Sequence, residues 1–180
     1  MLRRDFSLGL AATAGALQTA YAQAPRGFQE GKDYISLEKR APTDASSGKV
    51  EVVEFFWYNC PHCNALEPQL EAWIKRVAKD VVVRRVPVAF RDDFVPQQRL
   101  FYALEAMSKV DELHTKVFYA SHVEKQTLNN QATIGAWLEK QGVDKIKFDT
   151  LYNSFSVSSK AQKATQLQNQ FQVDGVPALG

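Results

Sequence analysis

The sequence predicts an α/β fold in which a parallel strand–helix–strand unit is followed by a long, wholly helical segment. Three observations predict it. The run Val50 to Trp57 is strand-like, and the run Val81 to Phe90 is a second such stretch. Between them Leu66, Leu70, Trp73, Ile74 and Val77 recur at helical spacing. From Val95 to Gln172 every apolar pattern is helical. With 180 residues and 45% hydrophobic content, the chain can build one domain with a proper core. A formal net charge of +2 with interspersed signs gives no broad basic surface, so nucleic acid is not an expected partner. No membrane span is read either.

At the start, Arg3 and Arg4 precede a weakly apolar run from Leu8 to Leu17, and small residues lead to Ala20-Tyr21-Ala22. This is the pattern of an export signal over residues 1–22, cleaved after Ala22, with an ordinary amphipathic helix as the alternative. Arg3-Arg4-Asp5-Phe6 fits a twin-arginine route as well as the Sec route. Gln23 to Lys32, punctuated by Pro25, Gly27 and Gly31, reads as an extended lead-in, and Tyr34 to Leu37 as a first, edge strand. The turn-rich stretch Pro42 to Gly48 delivers the chain to the central strand, Val50 to Trp57.

The helix that follows is expected from Pro61 to about Lys79, kinked at Pro68. In the next strand, Pro87 must sit at a bulge or where the ladder ends, because it lacks a donor. Arg84 and Arg85 point to opposite faces; surface solvation is the plain reading, although one of them could offset nearby acids. A strand, helix, strand order gives a right-handed parallel unit. Breaks near Asp111, Asn129-Asn130, Gly142 and Ser156 then divide 95–172 into about five helices. The aromatic and Met positions in that segment read as core.

The chemistry sits at the junction of the first strand and helix, where Cys60-Pro61-His62-Cys63 holds the only two cysteines. Two cysteines separated by two residues can close a small disulfide ring if a first helical turn brings the sulfurs together. Pro61 suits the first helical position, where its missing N–H costs nothing, and this leaves Cys60 at the N-cap facing unpaired backbone donors. Those donors stabilise a thiolate. Cys60 is thus the expected nucleophile, with Cys63 one turn deeper as the resolving thiol that closes the disulfide and releases the substrate. Stabilising the anion of the reduced form weakens the disulfide relative to it, by about 1.4 kcal/mol or roughly 30 mV for each tenfold gain in acidity. A protonated His62 would add positive charge between the two sulfurs.

Other readings of the same residues stay open at this level. A plain structural disulfide suits an exported chain equally well. A zinc site drawing on His114 and His122 is disfavoured, since their spacing is wider than in finger patterns and Pro61-His62 is needless for a structural site. Glu54 interrupts an otherwise apolar strand and shares a face with Val52, Phe56 and Tyr58, so burial there would raise its pKa. A solvated or paired strand glutamate is the alternative. Glu67, four residues after Cys63, could reach toward the site, but a solvated helix face is the plainer reading.

Glu54-Phe55-Phe56 ahead of Cys60-Pro61-His62-Cys63, with Gly175-Val176-Pro177-Ala178 far downstream, makes the chain from about Tyr34 to Gly180 resemble the DsbA-type thiol:disulfide oxidoreductases. That resemblance implies a thioredoxin-like fold formed by residues 23–94 and 173–180, with 95–172 as a helical insertion. It implies an oxidase that donates the Cys60–Cys63 disulfide to reduced, extended polypeptides through a mixed disulfide on Cys60. The enzyme is then expected to need no metal or organic cofactor and to work as a periplasmic monomer, reoxidised by a DsbB-type membrane quinone reductase.

Residue by residue, the resemblance makes Glu54 an acid beneath the redox pair that assists proton transfer, and Glu67 a second acid reaching toward it. It also implies a cis bond before Pro177, which would leave the backbone of Val176 beside Cys60, ready to pair with substrate in strand fashion. Trp57 and Tyr58 would form an apolar rim or pack inside. The chain departs from the family in stopping at Gly180, at the opening of a strand, before the family's last strand and closing helix; a fragment is expected. A sheet ending there would leave apolar surface around Phe55 uncovered. A reductase or isomerase of the same fold and a non-enzymatic binding protein with a structural disulfide are the rival readings.

Overall fold

The computed structural model describes residues 27–180, so the expected export signal over 1–22 lies outside the described residues. The described residues fall into two units, 27–36 and 37–180. In the first, the edge strand expected from Tyr34 onward does not form. Residues 29–34 close a turn instead, with Gly31 N–H donating to the Tyr34 carbonyl at 2.8 Å and Gln29 N–H to Asp33 Oδ2 at 3.0 Å. Gly31 supplies the positive φ of 77° that the turn needs, and only one isolated bridge, Glu30 to Tyr34, resembles sheet.

The second unit follows the expected order. Strand β1 (Val50–Phe56) leads to helix α1 (Pro61–Ile74) and strand β2 (Val81–Pro87); a 3₁₀ turn (Asp92–Phe94) then opens five helices. These are α2 (Val95–Ala106), α3 (Val110–His122), α4 (Gln131–Lys140), α5 (Lys145–Tyr152) and α6 (Phe155–Gln170), before a return strand β3 (Ala178–Leu179). The sheet order is β2-β1-β3, with β1 parallel to β2 and antiparallel to β3. This is a thioredoxin-like α/β core with a helical insertion.

The expected boundaries shift for identifiable reasons. Helix α1 runs unbroken through Pro68 but stops at Ile74 rather than near Lys79, because residues 75–80 turn the chain back into β2, with Val81 N–H donating to the Ala78 carbonyl at 2.9 Å. Strand β2 ends at Pro87, not Phe90. Pro87 is the last ladder partner, opposite Phe56; Val88 N–H still donates to the Phe56 carbonyl at 2.9 Å, and buried glutamines of the insertion serve the neighbouring backbone groups. Gln98 Nε2 donates to the Pro87 carbonyl at 3.0 Å, and Gln168 Oε1 accepts from Ala89 N–H at 3.0 Å. The breaks between the later helices are caps: Asn130, Asp144 and Ser154 each accept a first-turn amide, of Thr133, Lys147 and Val157.

From Val53 to Phe56 strand β1 is buried on both faces, as the centre of the sheet must be. Phe56 packs edge-on against Phe101 of α2 and His114 of α3. On the opposite face Phe55 is fully buried, contrary to the uncovered surface expected around it, because Phe171 lies 5.2 Å away, ring centre to ring centre. Gly180 permits this cover: a Cβ there would collide with the Phe171 ring. Gly180 also exchanges two backbone hydrogen bonds with Val53, extending the β3 pairing.

Candidate active site

The N-terminus of α1 is built as its sequence requires. Pro61 fills the first turn and Cys60 is the N-cap, in extended backbone conformation, its Sγ accepting from Cys63 N–H at 3.4 Å. The two sulfurs differ in access. Both are free thiols in buried residues, but Cys63 is 0% exposed whereas Cys60 is 7% exposed. Burial pushes the Cys63 thiol well above its ordinary range. His62 and Pro61 are exposed. The Val176–Pro177 bond is cis, and the Cys60 Sγ–H donates to the Val176 carbonyl at 3.3 Å across a separation of 116 residues.

Beneath the pair lies a buried charge cluster that the sequence only partly disclosed. The parallel register sets Glu54 of β1 opposite Arg85 of β2, and Arg85 Nε donates to Glu54 Oε2 at 3.1 Å. The same guanidinium reaches Glu67 Oε1 at 3.1 Å and also Glu71, both on the inner side of α1. Glu67 is therefore buried rather than solvated, and Arg85 is paired rather than a surface residue. A helix residue four positions after a buried cysteine returns to the same face, which the sheet covers. Burial raises Glu54 to about 7 from its ordinary 4.5, outweighing the pull of Arg85, and its charge bears on Cys63. For Glu67, burial raises the value, but His114 and Arg85 outweigh it and hold the carboxyl below its ordinary range.

The loop before Cys60 is held by the insertion. Trp57 stacks on Phe94 at 3.9 Å and is half-buried, while Tyr58 is fully buried, so of the two only Trp57 keeps any exposure at the site. The Tyr58 hydroxyl bonds His114 Nδ1 at 2.9 Å, and His122 Nε2 donates to the Tyr58 carbonyl at 2.8 Å. Gln97 Nε2 donates to Asn59 Oδ1 at 2.9 Å and to the Leu128 carbonyl at 3.0 Å. Both histidines are thus structural partners of the redox loop. Sequence reasoning passed over Gln97 and weighed His114 only as a disfavoured zinc ligand; for His114 the available signal was a polar residue on an otherwise apolar helix stripe, one turn before Val117 and Phe118.

Known proteins match this arrangement. A family model described as a DSBA-like thioredoxin domain covers residues 85–179. The thiol:disulfide interchange protein DsbA of Bordetella parapertussis is 43% identical over 179 residues, spanning 99% of this chain and 84% of that protein. This chain belongs to the DsbA family of thiol:disulfide oxidoreductases. DsbA of Burkholderia cepacia is 43% identical over 173 residues, covering 96% of this chain and 79% of the relative. Among solved structures, Pseudomonas aeruginosa DsbA superposes with a TM-score of 0.80 at 37% identity, covering 85% of this chain and 79% of that one. DsbA1 of Neisseria meningitidis gives 0.73 at 34% identity, covering 84% and 79%.

Family membership and the cysteine pair at the head of α1 make the protein a thiol:disulfide exchange enzyme whose redox group is Cys60–Cys63 itself. Among the described residues no group of three or more His, Cys, Asp or Glu side chains is placed to hold a metal ion. A cleft of about 590 Å³ beside β2, lined by Glu51, Arg84, Tyr102 and Lys160 among others, contains neither cysteine. Two of its cations are already paired, Arg84 with Asp44 at 2.7 Å and Lys160 with Glu105 at 2.5 Å.

Proposed function

We propose that Cys60 is the sulfur attacked by client thiolates and Cys63 the sulfur released. A client thiolate attacks Cys60 Sγ of the oxidised enzyme; the Cys60–Cys63 bond breaks, a client–Cys60 disulfide forms, and Cys63 departs as a thiolate. Its buried setting favours immediate protonation, for which Glu54, with its proton affinity near neutrality, is the source. A second client thiolate then attacks the client sulfur of the mixed disulfide, leaving Cys60 as a thiolate at the helix N-terminus, where unpaired backbone donors receive it. The client leaves oxidised and the enzyme reduced.

The carbonyl of Val176 beside Cys60, with Pro177 next to it, is the backbone edge to which an extended client would add. His62, exposed next to Pro61, offers positive charge when protonated. Clients are reduced exported proteins, the compartment is the periplasm, and reoxidation falls to a DsbB-type membrane quinone reductase acting on the monomer. Residues 23–94 and 173–180 serve as the thioredoxin-like part and 95–172 as the insertion. That the relatives are thiol:disulfide interchange proteins by name supports this reading.

The observation that carries the proposal is the difference in access between the two sulfurs. Its test is trapping. Reduced Cys63→Ala protein, mixed with a disulfide-bonded peptide, should accumulate a mixed disulfide on Cys60, and Cys60→Ala should form none. Adduct on Cys63 instead would overturn the assignment.

A further inference from the structure

We propose that His114, clamped between the Tyr58 hydroxyl and the Glu67 carboxylate, is a positioning residue through which the helical insertion keeps Glu67 an anion and leaves the cluster's single proton to Glu54. The inference rests on the reading of Glu54 as the proton source for Cys63, and extends it to a residue on α3.

Charge balance frames the problem. Three groups of the cluster are deeply buried, Glu54, Glu67 and His114, and the Arg85 side chain they meet is 15% exposed. Two carboxylates against one guanidinium leave a net negative charge in a poorly solvated place, so one added proton makes the set neutral. Glu71, the third carboxyl on Arg85, is 34% exposed and keeps much of its own hydration. The proton has three possible seats: Glu54, Glu67 and His114. Tyr58 and Cys63, the other titratable groups at the cluster, are both pushed upward by burial and keep their own protons at neutral pH.

Geometry chooses among the seats. Each carboxyl accepts one Arg85 hydrogen bond at 3.1 Å, on Glu54 Oε2 and Glu67 Oε1, and leaves its other oxygen without a partner; the difference is that Glu67 Oε1 also has His114 Nε2 3.5 Å away, a buried nitrogen with no hydrogen-bond partner of its own. The carboxyl with this second polar neighbour is the better anion. An ionised carboxylate can only accept, so the side of the imidazole toward it, Nε2, carries the hydrogen; Nδ1 is then bare and accepts the Tyr58 O–H at 2.9 Å. The Tyr58 hydroxyl could serve either tautomer, so it is the ionised Glu67 that selects Nε2–H. Surrounded by Phe56, Phe101 and Phe118, the ring is held neutral, burial lowering its affinity for a second proton. Arg85 opposes a second proton as well, while Glu67 and Glu71 favour it less strongly than burial disfavours it. With Glu67 and His114 excluded, Glu54 holds the proton.

The test is carboxyl-carbon NMR of glutamate-labelled, oxidised protein over pH 4 to 9, with Glu54 and Glu67 assigned by single Gln substitutions. His114→Leu removes one donor to an ionised group, which should raise the Glu67 titration by about one to two pH units and lower that of Glu54 as the repulsion between them falls. His114→Gln, whose amide offers both a donor and an acceptor, should restore the wild-type pattern. Should the Leu variant fail to fold, nitrogen NMR of the wild-type ring decides alone: a neutral Nε2–H tautomer through pH 7 supports the proposal. An imidazolium, an Nδ1–H tautomer, an unshifted Glu67 in His114→Leu, or a Gln variant that behaves as Leu would overturn it. An ordinary Glu54 titration in the wild type would instead sink the underlying reading of Glu54, so the two failures are distinguishable.

Discussion

Glu54→Gln converts the buried acid into an isosteric amide that never titrates, and its consequence can be worked from the folded-state value near 7 against an ordinary 4.5. Between those two values the native protein holds a proton that the unfolded chain has already released. Stability therefore falls as pH rises through this window, the reverse of the usual salt-bridged carboxylate. At about 1.4 kcal/mol for each pH unit in the window, Glu54 removes about 2.5 kcal/mol between pH 5 and pH 8. Gln keeps an acceptor for Arg85, and whatever packing it disturbs is disturbed equally at both pH values. The comparison is thus a difference of differences. Urea unfolding of oxidised wild type and Glu54→Gln at pH 5 and pH 8 measures it, the oxidised form being used so that neither thiol titrates. The variant should lose about 2.5 kcal/mol less than wild type on going from pH 5 to pH 8. Parallel pH profiles would refute the reasoning, and with it the claim that a proton is stored beneath the cysteines near neutrality.

Further outcomes follow from the same geometry. Arg85→Met strands two buried carboxylates, and should cost about 3–5 kcal/mol at pH 8 by urea unfolding but much less at pH 5, where Glu54 and Glu67 can protonate; equal losses at both pH values would contradict the ion-pair account. Asn130→Ala removes the N-cap of α4 and should cost about 1 kcal/mol, independent of pH. Gln97→Ala should accelerate hydrogen exchange at the amides of residues 58–60, since it frees Asn59 and leaves the buried Leu128 carbonyl without that donor; unchanged protection there would remove the insertion's role in holding the redox loop.

How much of this could be read from sequence varies with the physics involved. The Cys60 N-cap, Pro61 in the first turn and the five insertion helices are local matters of propensity, capping and periodicity, and each lies where those rules put it. Asn129-Asn130 was visible as a break because cap residues are chemically distinctive, while the break read near Ser156 falls two residues earlier, at the cap Ser154. The charge cluster was only partly legible. Glu67 and Arg85 look like solvated residues to any rule that reads one element at a time; they become buried partners only because the parallel register sets Arg85 beside Glu54 and α1 turns Glu67 onto the same guanidinium. Tyr34 to Leu37 failed for a complementary reason. Its apolar residues suit a strand, but Gly31 and Asp33 offered the Tyr34 carbonyl and the Gln29 amide nearer partners in a turn. The closeness of Val176 to Cys60 came from the family resemblance, since no local rule joins positions 116 residues apart.

The redox equilibrium of the Cys60–Cys63 couple with glutathione tests the central claim most directly. A disulfide whose attacked sulfur ends as a thiolate stabilised at a helix N-terminus and whose released sulfur is promptly protonated should be easily reduced, so the dithiol should predominate in an equimolar mixture of reduced and oxidised glutathione at pH 7. Persistence of the intramolecular disulfide under a large excess of reduced glutathione would contradict the account.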